Sequence, residues 1–295
     1  MSATLSAPVP AARRIRRRWL SPLLLLLPTL LVMAYAFIAP LATFFEYSFY
    51  RFRRGRLEQV FTLDTYSRFL FDDYYHLIIY DTLRMAALVT VLSLVIGYPL
   101  AYALHRITRP SIQRFLGLLI FTPILVSVVV RSYGWIILLS DQGPVNWLLL
   151  RLGIIAEPVA LVFNLFGVVI SLTHVFLPFV VFPIFTSLQR IEPELKEAAE
   201  DLGAGWWTTF RRVTFPLSLP GVVAGAQISF TLALGAFVTP AMLGGGRVFV
   251  LPLQVYNATS EINWPVAAVG GMVLLIISTI AVAGFNRALK YSEVR

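Results

Sequence analysis

With two lysines, three histidines and no cysteine, this chain of 295 residues has few groups suited to covalent chemistry. Without cysteine there can be no disulfide and no thiolate metal site. Neither Lys196 nor Lys290 follows a glycine, so the G-x-x-x-x-G-K-[ST] loop that cradles nucleotide phosphates is missing. No H-E-x-x-H or G-x-S-x-G pattern is present, which removes sequence support for a membrane hydrolase. The chain is therefore read as non-catalytic, with no metal ligand and no cofactor of its own. If it moves a solute uphill, another chain has to supply the energy.

The residues with the most informative spacing do recognition chemistry. Between Ile191 and Gly221 the sequence predicts a short helix, a glycine turn and a second helix. Pro193 suits a first helical turn, where its missing N–H costs nothing. Glu192 and Glu194 favour the positive end of the helix dipole. Leu195, Ala198, Ala199 and Leu202 fall at i, i+3, i+4 and i+7 and form one apolar stripe, with Glu197, Glu200 and Asp201 away from it. Gly203 is placed to end the helix in the left-handed conformation. Trp206, Trp207, Phe210 and Val213 are the apolar residues of the second helix, and Pro216 is expected to open the next span. An interfacial helix lying on lipid is one reading. The acidic opposite face and the two alanines in the stripe favour close docking into a protein groove instead.

The rest of the chain has to hold that segment at a membrane. Apolar residues make up 58% and charged residues 13%, against about 25% charged in a soluble domain. A span needs roughly 20 mostly apolar residues. Six are expected, near Trp19–Phe45, Asp81–Leu104, Ile112–Leu139, Val159–Leu188, Pro216–Thr239 and Trp264–Phe285, with the fourth open to being shorter. The expected class is an all-α integral membrane protein. Ala34-Tyr35-Ala36 imitates a signal-peptide cleavage site, but the apolar run continues to Ala42, longer than the roughly 7–15 residues of a signal core, so an uncleaved anchor is expected.

Basic residues orient the spans. With the N-terminus inside, the inner segments hold Arg13, Arg14, Arg16, Arg17, Arg18, Arg106, Arg109, Arg114, Arg190, Lys196, Arg211, Arg212, Arg287, Lys290 and Arg295. These are fifteen of the 24 Lys and Arg, set against six inner acids. The outer side has nine of each sign, so the whole net charge of +9 falls on one face. Both termini are expected to be cytoplasmic. The arginine-rich N-terminus reads as a topology signal that meets anionic lipid rather than nucleic acid. The first outer loop, with Arg51, Arg53, Arg54 and Arg56, is the exception.

Few ionisable groups lie deep in a span: Asp81 and Arg84 near the start of the second, Arg131 in the outer half of the third, and His174 in mid-fourth. Ion-driven transporters carry buried acid or histidine relays. A lone His174 reads as a hydrogen-bonded packing residue.

Glu197-Ala198-Ala199, Gly203 after three further residues and Pro216 after twelve more resemble the EAA loop of binding-protein-dependent ABC importer permeases. Val213-Thr214-Phe215-Pro216 departs conservatively from the Ile-x-Leu-Pro of that family. The resemblance covers about residues 80–290, with 1–79 as a basic N-terminus, an added first helix and an outer loop. It implies a type I ABC importer permease fold, with the coupling loop at 191–216 docking into a separate ATPase. Glu197, Ala198, Ala199, Leu202, Gly203 and Pro216 would carry that contact. Arg131-Ser132-Tyr133-Gly134-Trp135 with Leu139 to Asn146, and Phe237-Val238-Thr239-Pro240-Ala241-Met242-Leu243-Gly244-Gly245, look like span exits of the spermidine/putrescine-type first-subunit branch. By that resemblance, Tyr133, Trp135, Asp141, Phe237, Thr239, Pro240 and Gly244 are candidates for the translocation path; plain outer loops are the alternative.

The same resemblance implies a second permease subunit, two cytoplasmic ATPases that carry ATP and magnesium, and a periplasmic or lipid-anchored binding protein. The setting would be a bacterial inner membrane. A polyamine is the expected cargo, for which Asp81, Asp141 and Glu261 are the outer-side acids nearest span ends. An opine, an amino-acid derivative, an anion or a metal are alternatives within the same role. An ion-coupled secondary transporter is the rival class, disfavoured by the missing acid relay.

Overall fold

The computed structural model describes residues 12–53 and 55–293; Arg54 and Arg295, both counted in the charge balance, lie outside the described residues. The first described element is a long helix α1 (Ala12–Tyr47) that runs unbroken through Ala34–Ala36. A two-stranded antiparallel hairpin follows, β1 (Arg51–Arg53) and β2 (Arg56–Glu58), pairing Phe52 with Leu57. The expected all-α fold is corrected to that extent. Arg-Phe-Arg and Arg-Leu-Glu alternate with period two around Gly55, whose φ of +74° suits a tight turn.

Helices α2 (Asp64–Phe71) and α3 (Asp73–Arg106) come next, followed by α4 (Pro110–Leu125), α5 (Val128–Leu139), α6 (Pro144–Arg151) and α7 (Leu165–Gln189). Then come α8 (Pro193–Asp201), a short α9 (Trp206–Thr209) and α10 (Phe215–Leu234), with α11 (Val238–Leu243), α12 (Leu251–Ser260) and α13 (Trp264–Glu293) the last of the described elements. Among the described residues, five helices are long and apolar enough to cross a membrane, and the bent pair Pro110–Leu125 and Val128–Arg151 makes a sixth if it is one broken span.

Three boundaries differ from expectation, each for a local reason. The third span is not straight: its two halves meet at 100° across Val126 and Ser127. The fourth begins only at Leu165, where the Asn164 side chain accepts the Gly167 N–H at 3.0 Å and caps the helix; Val159–Asn164 is irregular. The fifth does not open at Pro216. Its helix starts at Trp206 and passes through a π turn, Phe210–Thr214, into α10. Proline lacks an N–H and its ring crowds the carbonyl four residues back, so a widened turn before Pro216 relieves both.

The core is built from α3, α7 and α10, with α13 against α10 and α12 against α13. Met85, Val89, Val168, Leu172, Leu234 and Leu243 form its centre. Small residues let the backbones approach, as lipid-embedded packing requires. Ser93, Ser171, Ser218 and Ser229 are fully buried. A Cβ placed on Gly221 would lie 2.5 Å from the Pro183 carbonyl oxygen and 2.9 Å from Ile184 Cα. Helix α1 stays at the edge, its Phe44 and Tyr47 rings 6.5 and 6.2 Å from Trp264 of α13.

Thr82 ties α12 to this core. Its buried hydroxyl donates to the Ile78 carbonyl at 2.6 Å and accepts the Leu251 N–H at 2.8 Å. Thr82→Val keeps the shape and strands a buried N–H, a loss of about 1–3 kcal/mol. Thermal unfolding of the purified protein should show a lower midpoint for Thr82→Val and a near-normal one for Thr82→Ser.

Candidate functional site

At one end of the bundle, α8 begins at Pro193 and ends as the sequence predicts. Gly203 has φ +77°; its N–H donates to the Glu200 carbonyl at 2.8 Å, and the Ala204 N–H donates to the Ala199 carbonyl at 3.0 Å. That pair of bonds is a Schellman closure, which needs a residue at ease in the left-handed region. The apolar stripe is not consumed by the chain's own core: Leu202 is 88% exposed and Leu195 44%, with Ala198 exposed and Ala199 half-buried. Glu197 is exposed as well.

Although its stripe is free, α8 is not loose. Lys196 Nζ lies 3.3 Å from His105 Nε2 at the end of α3. Beyond the glycine turn, Trp206, Trp207 and Phe210 stack with ring centroids 5.6–5.9 Å apart. Trp206 Nε1 donates to the Tyr102 hydroxyl at 3.3 Å, and Phe210 packs edge-on against Tyr98 and Tyr102. The Tyr98 hydroxyl is 2.9 Å from Ser218 Oγ on α10. Rings and hydrogen bonds thus connect α8 and the turn after it to α3 and α10. Sequence reasoning missed Tyr98, Tyr102 and His105, since nothing in their own spacing marks them; they matter because α3 ends beside α8. Pro216 sits in the first turn of α10, after the π turn and away from the stripe.

Toward the other end, α5 packs on α11 and brings part of the second group together. A cavity of about 210 Å³ is lined by Arg131, Phe237, Val238 and Thr239, with Leu172 and Phe176 from α7. Phe237 stacks on Tyr256 at 5.0 Å. Thr239 and Pro240 are buried, and a Cβ on Gly244 would strike the Pro240 carbonyl, so that turn needs glycine. Trp135 faces the other way and donates from Nε1 to His174 Nδ1 at 3.4 Å, which makes His174 a hydrogen-bonded packing residue as expected. Tyr133 and Asp141 are exposed and line neither cavity that Arg131 borders. Among the described lining residues of the 210 Å³ cavity, Arg131 alone is charged. Asn146, fully buried, clamps the loop between α6 and α7: its amide donates to the Ser140 and Val159 carbonyls and accepts the Val159 N–H, all at 3.0–3.1 Å.

Residues 93–290 match the family described as binding-protein-dependent transport system inner membrane component. The chain belongs to that family. Two curated relatives refine the match. The spermidine/putrescine transport system permease protein PotB of Salmonella typhimurium (strain LT2) is 35% identical over 236 residues, covering 79% of this chain and 80% of that one. The inner membrane ABC transporter permease protein YdcU of Escherichia coli (strain K12) is 32% identical over 234 residues, 75% and 74% of the two chains. The fold is similar to that of a chain in the crystal structure of a bacterial ABC transporter involved in the import of the acidic polysaccharide alginate: TM-score 0.77, 18% identity, 95% of this chain and 98% of that one. This inner-membrane component is thus a permease subunit of an ABC importer. Helix α8 lies between its fourth and fifth spans, and the matched region takes in that helix and the whole cavity between α5, α7 and α11.

Proposed function

We propose that the permease forms half of the translocation path and is driven through α8 by a separate cytoplasmic ATPase. The observation that carries this reading is the stripe on α8, with Leu195, Ala198 and Leu202 exposed and Ala199 half-buried, held on a helix braced against α3 and α10. An apolar helix face left bare by its own chain needs a groove, and its small residues allow a close fit. The assembly is a second permease subunit, two ATPases that bind ATP and magnesium, and a binding protein on the outer side. Both termini of this multi-pass inner-membrane chain are cytoplasmic, on the side of the basic excess.

The cargo is a small polyamine of the spermidine/putrescine kind, by likeness to PotB. Among the described residues lining the 210 Å³ cavity, Arg131 is a like charge to a polyamine and none is a carboxylate; the rings of Phe176 and Phe237 are what attracts a cation there, so the cavity gives a polyamine a passage rather than a tight site. Selectivity then resides mainly in the binding protein. The test is uptake of labelled spermidine by the full importer in proteoliposomes. ATP-dependent accumulation that requires the binding protein is the expected result. Accumulation driven equally well by an ion gradient without ATP would overturn the reading.

A further inference from the structure

The break in the third span leaves a problem that one side chain solves. Helix α4 ends at Leu125, and the backbone of Val126 and Ser127 leaves the helical region before α5 starts. The last carbonyls of a helix have no partners within it. In a span they need protein or water to satisfy them. Arg131, in the first turn of α5, reaches back across the break: its Nη1 donates to the Pro123 carbonyl and, at 3.3 Å, to the Val126 carbonyl. A guanidinium at this helix end also faces the negative pole of the α4 dipole. The ion pair found among the described residues is Arg51–Asp64, so carbonyls rather than a carboxylate answer the Arg131 charge.

The same residue borders two cavities. One, about 570 Å³, fills the inside of the bend with Leu119, Thr122, Trp135 and Leu138. The other is the 210 Å³ cavity with Phe237 and Thr239. One turn beyond Arg131, the Trp135–His174 bond fixes α5 to α7. The α5 arm is thus held by α7 and α11 on one side and joined to α4 through the bend on the other.

We propose that Arg131 is the positioning residue of the translocation path: it clasps the open carbonyls of α4 and so sets the bend that presents α5 to the Phe237–Gly244 segment. The inference rests on the permease reading. An arm that swings during transport would do so at Val126–Ser127, the two non-helical residues between α4 and α5 that can absorb a dihedral change. The guanidinium has five N–H donors in a fixed fork, and Nη1 alone makes both carbonyl contacts, so the clasp has donors in reserve as the arm moves.

A chain without cysteine allows a clean test. Leu119 on α4 and Leu138 on α5 are 58% and 41% exposed and line the bend cavity. With Leu119→Cys and Leu138→Cys spin-labelled in the assembled importer, pulsed dipolar spectroscopy reads the angle directly and needs no cargo. Failure of spermidine uptake would thus leave this readout intact. The unsubstituted Arg131 should give one narrow distance distribution. Arg131→Ala and the longer, donorless Arg131→Met should each broaden it by about twofold or split it, as expected when one conformer loses its bias. Arg131→Lys should restore most of the narrow population. An unchanged distribution in either Arg131→Ala or Arg131→Met overturns the assignment. If those two do not assemble while Arg131→Lys does, the donor is needed for the bend to form, which supports it. If Arg131→Lys also fails to assemble, the side chain serves packing rather than clasping, and the assignment falls.

Discussion

Gly203→Asp is expected to lower ATP-driven uptake by about tenfold or more, a coupling loss of at least ~1.4 kcal/mol, while the permease stays folded in the membrane. The φ of +77° at Gly203 is one that aspartate tolerates better than most residues, and no atom stands within 4 Å of a Cβ there. The fold thus has room for the substitution. What it changes is the tip of α8, where a carboxylate would stand next to Leu202, the residue most exposed on the stripe. A desolvated docking face does not accept an unpaired charge without penalty. Glu197→Ala should act in the same direction with a smaller effect, since it removes one exposed carboxylate and leaves the stripe whole. Uptake, ATPase co-purification and permease yield measured together separate coupling from folding. Normal uptake in both variants would remove α8 from the coupling path.

The second large effect is on folding. Gly221→Val should deplete folded permease from the membrane, at a cost of about 3 kcal/mol or more from overpacking. The obstacle is backbone: the first added carbon would meet the Pro183 carbonyl, Ser187 Cβ at 2.6 Å and Ile184 Cα. Relief requires α7 and α10 to separate, and these two helices hold much of the core. Gly271→Val on α13 is the matched control, because nothing lies within 4 Å of its Cβ position. Size-exclusion profiles of solubilised protein decide the matter. Equal monodisperse yields for the two variants would show that the close approach at Gly221 is not limiting.

The sequence speaks for these two glycines to different degrees. Gly203 follows an amphipathic stripe at the register where a helix must stop, so its left-handed conformation could be inferred from spacing alone. Gly221 and Gly225 stand four apart in an apolar span, a pattern that permits close contact without proving it; contacts to Pro183 and Val180 establish it. The bend of the third span was not legible. Hydropathy stays high from Ile112 to Leu139, and a sum over a window cannot register a change of direction at Val126. The clue was Arg131, a charge in a span, which acquires meaning only once the carbonyls of Pro123 and Val126 are seen to lie within its reach.

The π turn before Pro216 was equally hidden. Proline is a start signal for a helix, whereas the helix here begins at Trp206 and reaches Pro216 through the widened turn Phe210–Thr214. Among the path candidates, Phe237 and Thr239 line a cavity while Tyr133 and Asp141 do not, because helical phase around the α5 axis and the turn after it decide which residues face inward.

The most direct test places a photo-reactive residue at Ala198, on the bare stripe of α8, in the complete importer. Irradiation should give a covalent adduct with the ATPase subunit whose yield changes on ATP binding, and the same probe at Leu31, exposed on α1, should give none. An Ala198 probe that labels only lipid, or nothing, while ATP-driven uptake continues, would contradict docking through this helix.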